Sequence, residues 1–186
     1  MKNRCFWVTD SQLYIDYHDN EWGVPVFDDE TLFEFLVLET FQAGLSWITI
    51  LNKRENFRKA FDNFDYQKIS KYSEKKYESL LQDAGIIRNK LKIRSAITNA
   101  QLFIEVQKEF GSFSKFIWAY VDHKPILNKF HKREDVLATT KLSDTISKDL
   151  KKRGFKFVGS TVVYAYMQAV GMVNDHTTNC FKYPTE

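Results

Sequence analysis

Cysteine is nearly missing from this sequence: of 186 residues only positions 5 and 180 carry it. A disulfide framework is thereby excluded, and the most that could form is one Cys5–Cys180 bridge. Proline occurs three times and glycine seven times. No Pro/Ser-rich stretch, repeat or low-complexity tract marks a linker. No apolar run approaches the roughly 18 residues of a membrane span, and no charged-then-apolar leader opens the chain. These absences predict a reducing compartment, the cytoplasm, with no membrane partner, and there a disulfide is disfavoured. What remains, with 44% hydrophobic residues, is a compact globular chain long enough for one sizeable core and short for two. The expectation is a single domain over 1–186, monomeric because no apolar stripe is left unassigned.

Both cysteines and two of the four histidines lie near the chain ends: Cys5 and His18 at the start, His176 and Cys180 at the finish. Thiolate sulfur and neutral imidazole suit Zn²⁺, and two of each close a tetrahedron with no position left for water. On a helical turn His176 and Cys180, four apart, would share a face. If the four meet, the metal is structural and clips the two termini together, and catalysis lies elsewhere. The long gap between the pairs is unlike a zinc finger, so spacing alone leaves zinc and a disulfide both open.

The formal charge of +3 hides an asymmetry: residues 88–156 carry 16 Lys/Arg against 7 Asp/Glu, a +9 sector on a remainder of −6. Such a sector suits a polyanion-binding face, although solvated helix faces would look the same. Apolar periodicity is helical almost throughout. It predicts helices from Asp28 or Asp29 to about Leu51, and near 66–70, 74–84, 89–109, 112–121, 144–153 and 160–170. Strand signals are nearly absent, so the fold class is all-α. Residues 128–140, charged and aperiodic, form the most mobile segment.

Between Ser147 and Gly171 a basic helix stops at Gly154, a short turn runs to Gly159, and Ser160 opens an apolar helix. A helix-hairpin-helix of this kind leaves backbone N–H groups at a helix amino terminus, a seat for phosphate. Lys151, Lys152, Arg153 and Lys156 add salt-sensitive attraction to nucleic acid. A similar turn at 83–92 has one glycine and ranks below it.

The amino-terminal block sets Trp7, Tyr14, Tyr17 and Trp22 around His18. In the first long helix Glu39 interrupts an apolar run, and a buried carboxylate without a partner is uncommon. Gly44 is costly in mid-helix, by about 1 kcal/mol relative to Ala. A break there could turn Trp47 toward Glu39 and expose Leu45, an apolar wedge between bases. Aromatic walls with one carboxylate fit a stacked nucleobase, more so a cationic one.

These residues resemble a known family. The stretches Arg4–Trp7, YIDYHDNEWG over 14–23, QAGLSWI over 42–48, KREN over 53–56, GIIR over 85–88, KKRGFKFVG over 151–159 and VNDH over 173–176 resemble bacterial 3-methyladenine DNA glycosylase I. The resemblance runs from Arg4 to Pro184. It implies a helix-hairpin-helix glycosylase fold with a zinc site joining the termini, held by Cys5, His18, His176 and Cys180. It also implies Glu39 as the catalytic carboxylate and, with Tyr17, a hydrogen-bonding partner of 3-methyladenine. Trp47 becomes a stacking wall, Trp7, Tyr14 and Trp22 pocket lining, and Leu45 beside Gly44 the residue that fills the gap in alkylated duplex DNA.

Many superfamily members carry an Asp just after the second hairpin helix. Alignment puts Asn174 there, and a shift of one residue would put Asp175. The implied activity is hydrolytic release of 3-methyladenine with Glu39 ionised, leaving an abasic site without strand cleavage. The competing reading is a non-catalytic, zinc-stabilised DNA-binding module, which gives no reason for Glu39 among stacking aromatics.

Overall fold

The structure, a computed structural model, describes residues 2–184; the expected unit of 1–186 begins and ends on residues outside that range. Among the described residues there are nine α-helices: α1 (Gln12–Asn20), α2 (Asp29–Gln42), α3 (Trp47–Ala60), α4 (Tyr66–Ile69), α5 (Glu74–Gln82), α6 (Lys90–Phe110), α7 (Phe113–Trp118), α8 (Lys141–Lys152) and α9 (Ser160–Ala169). The all-α class holds, with one addition. Two-residue strands β1 (Ile126–Leu127) and β2 (Val173–Asn174) pair in parallel and tie the segment after α7 to the segment after α9. None of these helices is long and apolar enough to cross a membrane.

Helix α2 is the axle. Asp28 caps it by accepting from the Thr31 amide at 2.8 Å, and its residues from Phe35 to Phe41 are buried without a break. A helix apolar all round must be surrounded, and α2 packs against α3, α6, α7 and α9. Phe33, Phe41, Phe57, Phe61, Phe103, Phe113 and Trp118 fill the space between these helices, each essentially inaccessible. Burial of side chains this size contributes about 2–3 kcal/mol apiece. The longest helix, α6, is capped by Asn89, whose Oδ1 accepts from the Leu91 and Lys92 amides, and stops at Gly111 with φ +85°.

The expected helix from Asp28 to Leu51 is two helices. The chain leaves α2 at Gln42, turns through 43–46 with Gly44 at φ +79°, and restarts as α3, which continues to Ala60. Apolar patterning carried the expectation across the turn because Leu45, Trp47 and Ile48 keep a helix-like spacing. Helix α1 was not anticipated, since its mean hydropathy is low and aromatics rather than aliphatics mark its inner face. His176 and Cys180 do not share a helix either: a turn joins them, closed by the Cys180 amide on the Thr177 carbonyl at 2.7 Å. The segment 128–140 is irregular but anchored. The Thr178 amide donates to the Phe130 carbonyl at 2.8 Å, and the Asn128 side chain to Asp175 at 2.7 Å.

Candidate active site and metal centre

Cys5, His18, His176 and Cys180 come together, all buried, with one ligand atom of each within 4.8 Å of the others. Cys5 Sγ lies 3.5 Å from His176 Nδ1, and Cys180 Sγ lies 3.4 Å from His18 Nε2 and 3.6 Å from His176 Nδ1. The sulfur–nitrogen edge of a tetrahedral zinc site is about 3.6 Å for ordinary bond lengths, so the donor set fits such an ion. Each imidazole is oriented by its other nitrogen. His18 Nδ1 meets Asp19 Oδ1 at 2.8 Å, and His176 Nε2 meets the Trp22 carbonyl at 3.2 Å. Arg4 grips both oxygens of Asp19 at 2.8 and 2.7 Å. This is the outer support that metal-binding histidines normally have.

Burial pushes the Cys5 thiol up to about 12, with the Cys180 sulfur adding to the effect, and pulls His176 down to about 4. Neutral imidazoles are the ligating form already. A central cation would favour ionisation of the Cys5 thiol against the burial that holds it neutral. The four residues join the two ends of the chain, as the Phe181 amide on the Asn3 carbonyl at 2.9 Å also does.

Beside this centre lies a cavity of about 330 Å³ lined by Phe6, Trp7, Tyr14, Tyr17, Trp22, Glu39, Gln42, Trp47, Val136, Ala165, Gln168 and Asp175. All six aromatic and acidic residues singled out for a base pocket are among them. The break at Gly44 brings Trp47 back toward α2, so that Tyr17 and Trp47 have ring centroids 5.3 Å apart. Trp7 contacts Tyr14 at 5.5 Å and Trp22 at 5.0 Å, in each case edge to face. The Tyr14 hydroxyl accepts from the Ile48 amide at 3.2 Å, fixing the start of α3.

Glu39 is 3% exposed, and its Oε2 has no hydrogen-bond partner; neither has the Trp47 indole Nε1. Both atoms belong to the pocket wall, an acceptor and a donor left open in an apolar cavity. Burial raises the Glu39 carboxyl to about 8, because no cation lies near enough to favour the charged form. Burial by itself thus favours the neutral carboxyl, as expected of an isolated buried carboxylate. The Tyr17 phenol is pushed well up by burial and by Glu39.

Asp175, not Asn174, faces the cavity. Its carboxylate accepts from Tyr164 Oη, Gln168 Nε2 and Asn128 Nδ2, each at 2.7 Å, while Asn174 Oδ1 accepts from the His176 amide at 3.2 Å. Phe6, Gln42, Val136, Ala165 and Gln168 were not singled out, and Asp175 entered only as the alternative position of a superfamily Asp. No pattern on α9 marks Ala165 or Gln168 as lining residues.

The basic helix and the apolar helix of the 147–171 region are α8 and α9. Gly154, at φ +102°, ends α8: its amide donates to Lys151 and that of Phe155 to Leu150, each at 3.0 Å. The left-handed stop that only glycine adopts freely is thus used. Gly159 occupies the amino cap of α9 with no side-chain cap, and a Cβ there would meet nothing within 4 Å, so the first turn of α9 opens outward at Ser160.

The turn is clamped from inside. Buried Asn99 of α6 bonds both the amide and the carbonyl of Lys156, at 2.8 and 3.0 Å. Ser147 donates to the Val158 carbonyl at 2.6 Å, and Ser143 and Ser160 share a hydroxyl contact at 2.8 Å. Lys151, Lys152 and Lys156 are exposed. Arg153 differs from them: its guanidinium pairs with Glu109 at 2.7 Å and lies over the rings of Phe110 and Phe116. Its guanidinium is thus engaged within the protein, unlike the three lysines.

The family model described as Methyladenine glycosylase matches residues 7–183. The chain belongs to the methyladenine glycosylase family. It is 49% identical to DNA-3-methyladenine glycosylase 1 of Escherichia coli strain K12 over 181 residues, covering 97% of each chain. With DNA-3-methyladenine glycosylase of Haemophilus influenzae the identity is 47% over 180 residues, again 97% of each. Among solved structures it resembles a crystal structure of 3-methyladenine DNA glycosylase I at TM-score 0.95 and 49% identity, over 98% of this chain and 100% of that one. A Staphylococcus aureus methyladenine glycosylase, solved for its recognition of 3-methyladenine, matches at TM-score 0.95 and 34% identity over 100% and 98%.

Proposed function

We propose that the protein is a DNA base-excision repair glycosylase that hydrolyses the N-glycosyl bond of 3-methyladenine in alkylated duplex DNA and leaves an abasic site. One observation carries this: a buried carboxyl oxygen and a buried indole N–H, both without partners, wall a cavity between aromatic faces. The names of the family and of the relatives agree with it.

The steps follow from what the residues can do. Leu45 enters the duplex, and the damaged nucleotide swings out into the cavity. Trp47 and Tyr17 stack and orient the base, with Trp7, Tyr14 and Trp22 excluding water. Methylation at N3 makes the adenine cationic, so it leaves as a neutral molecule and needs little protonation. The arriving positive charge favours ionisation of Glu39, which gives up its proton to solvent and accepts hydrogen bonds from the base. Water then attacks the oxocarbenium-like sugar. No lysine stands at the lyase position of the hairpin, so the strand stays intact. Lys151, Lys152, Lys156 and the open first turn of α9 hold phosphates.

Cys5, His18, His176 and Cys180 would hold Zn²⁺ as a structural ion, which would tie the two ends of the fold and supply no chemistry to the reaction. The single domain acts as a cytoplasmic monomer.

The test is release of free bases from methylated duplex DNA by the native protein and by Glu39→Gln. Release of 3-methyladenine but not 7-methylguanine, slowed about tenfold to a hundredfold in the variant, is the expected result. Binding to DNA without any base release, from folded protein, would leave a non-catalytic binding module.

A further inference from the structure

We infer that Lys92 is a positioning residue that holds the bridge between α2 and α3 and so sets where Leu45 enters the duplex. The inference rests on the proposed wedge role of Leu45. Lysine is among the residues least often buried, yet Lys92 is 6% exposed. It sits in the first turn of α6, and its Nζ donates to the Phe41 carbonyl at 2.9 Å and to the Ala43 carbonyl at 2.5 Å. These carbonyls lie at the carboxyl end of α2, where a helix leaves acceptors unsatisfied and a cation is favoured by the dipole.

The bridge has few other ties. Ala43 has φ −47° and ψ 117°, so α2 lacks the left-handed cap that closes α6 and α8. Its one backbone closure is the Leu45 amide on the Gln42 carbonyl at 2.6 Å. Gly44, at φ +79°, would place a Cβ in open space, and Leu45 is 41% exposed. On the far side the chain is held again, by the Ser46–Thr49 hydroxyl contact at 2.7 Å and by Tyr14 on the Ile48 amide. Between Lys92 and Tyr14 the exposed residues Gly44, Leu45 and Ser46 ride on a short span fixed at both ends.

Each anchor has its own consequence. Tyr14 holds the side that carries Trp47, a wall of the base pocket. Lys92 holds the side that carries Leu45, which lies outside the pocket, and Gln42, between its two carbonyl partners, is the one pocket residue on that span. Loss of the ammonium should therefore disturb insertion into DNA far more than recognition of the base. Lys92 also follows Asn89, the cap of α6, and the 83–88 turn, whose Ala84 and Gly85 carbonyls accept from Lys53 at 3.1 and 3.2 Å. The turn before α6, which carries Lys92, is thus tied to α3 as well.

The experiment is a double-mutant cycle on the full-length, metal-loaded protein with Lys92→Met, Leu45→Ala and their combination. The probes are duplex DNA containing a tetrahydrofuran abasic analogue, and free 3-methyladenine. Lys92→Met should weaken abasic-duplex binding about tenfold in the native background and under twofold beside Leu45→Ala. Its affinity for free 3-methyladenine should stay within about twofold of native. A purely structural lysine would lower free-base affinity and duplex affinity together, or act equally in both backgrounds, and either result overturns the inference while Leu45 keeps its role. If Leu45→Ala alone leaves duplex affinity unchanged, the wedge itself is wrong and the inference falls with it. Lys92→Gln, neutral and hydrogen-bonding, is carried through the same cycle, so that poor folding of one variant leaves the other to decide.

Discussion

Glu39 sits in the folded protein with its carboxyl raised to about 8 from an ordinary 4.5. Linkage then fixes a sign. Where the folded pKa lies above the unfolded one, the unfolded chain releases its proton first, and stability falls as pH rises. The contribution of the neutral form is complete below about pH 4.5 and is lost progressively up to about 8. Glu39→Gln keeps the shape and cannot ionise. It should be more stable than the native protein at pH 8, by on the order of a few kcal/mol, and level with it near pH 4.5. Denaturant melts at the two pH values check this; an equal gap at both would mean that Glu39 is not protonated in the folded protein. Glu39 was legible because a carboxylate in an unbroken apolar run conflicts with its surroundings. Gln168 was not, since one polar residue near a helix end reads as surface, and Asp175 was reached only by alignment; the tertiary arrangement turns both inward.

At the level of elements, the α8–α9 turn separates two kinds of basic residue that the sequence shows as one run. Lys151, Lys152 and Lys156 point to solvent, whereas Arg153 is engaged with Glu109, Phe110 and Phe116. Changing any of the three lysines to Gln should reduce the slope of log affinity against log salt by about one. Arg153→Gln should leave the slope alone and lower the melting temperature instead. A slope reduced by Arg153→Gln and untouched by the lysine changes would refute the assignment. The turn was legible because Gly154 and Gly159 bracket it at helix ends. The break at Gly44 was only half legible. Glycine raised the question of a kink, but the restart at Trp47 depends on Lys92 and Tyr14, which reach the bridge from 49 and 34 residues away.

For the whole molecule, the Cys₂His₂ centre is the link between the ends of the chain. Structural zinc sites contribute on the order of 10 kcal/mol of folding free energy, comparable to the whole stability of a domain. Chelation should therefore lower the melting temperature sharply, and base release should decline in step with the folded fraction. Base release lost while the melting curve stayed unchanged would contradict a structural ion. Disulfide formation between Cys5 and Cys180 would require oxidation of two thiols that are free and buried here. The choice between metal and bridge, open on spacing alone, is narrowed by the two histidines at tetrahedral distances.

The same centre also has a consequence in time. Cys5 and His18 leave the ribosome early, and His176 and Cys180 only after the nine described helices. Tyr17 and Trp22 flank the early ligand, and Asp175 adjoins the late one, so the cavity has walls made far apart in time. Its last wall arrives with Asp175. Until that residue has emerged, a nascent chain has no complete pocket with which to act on DNA.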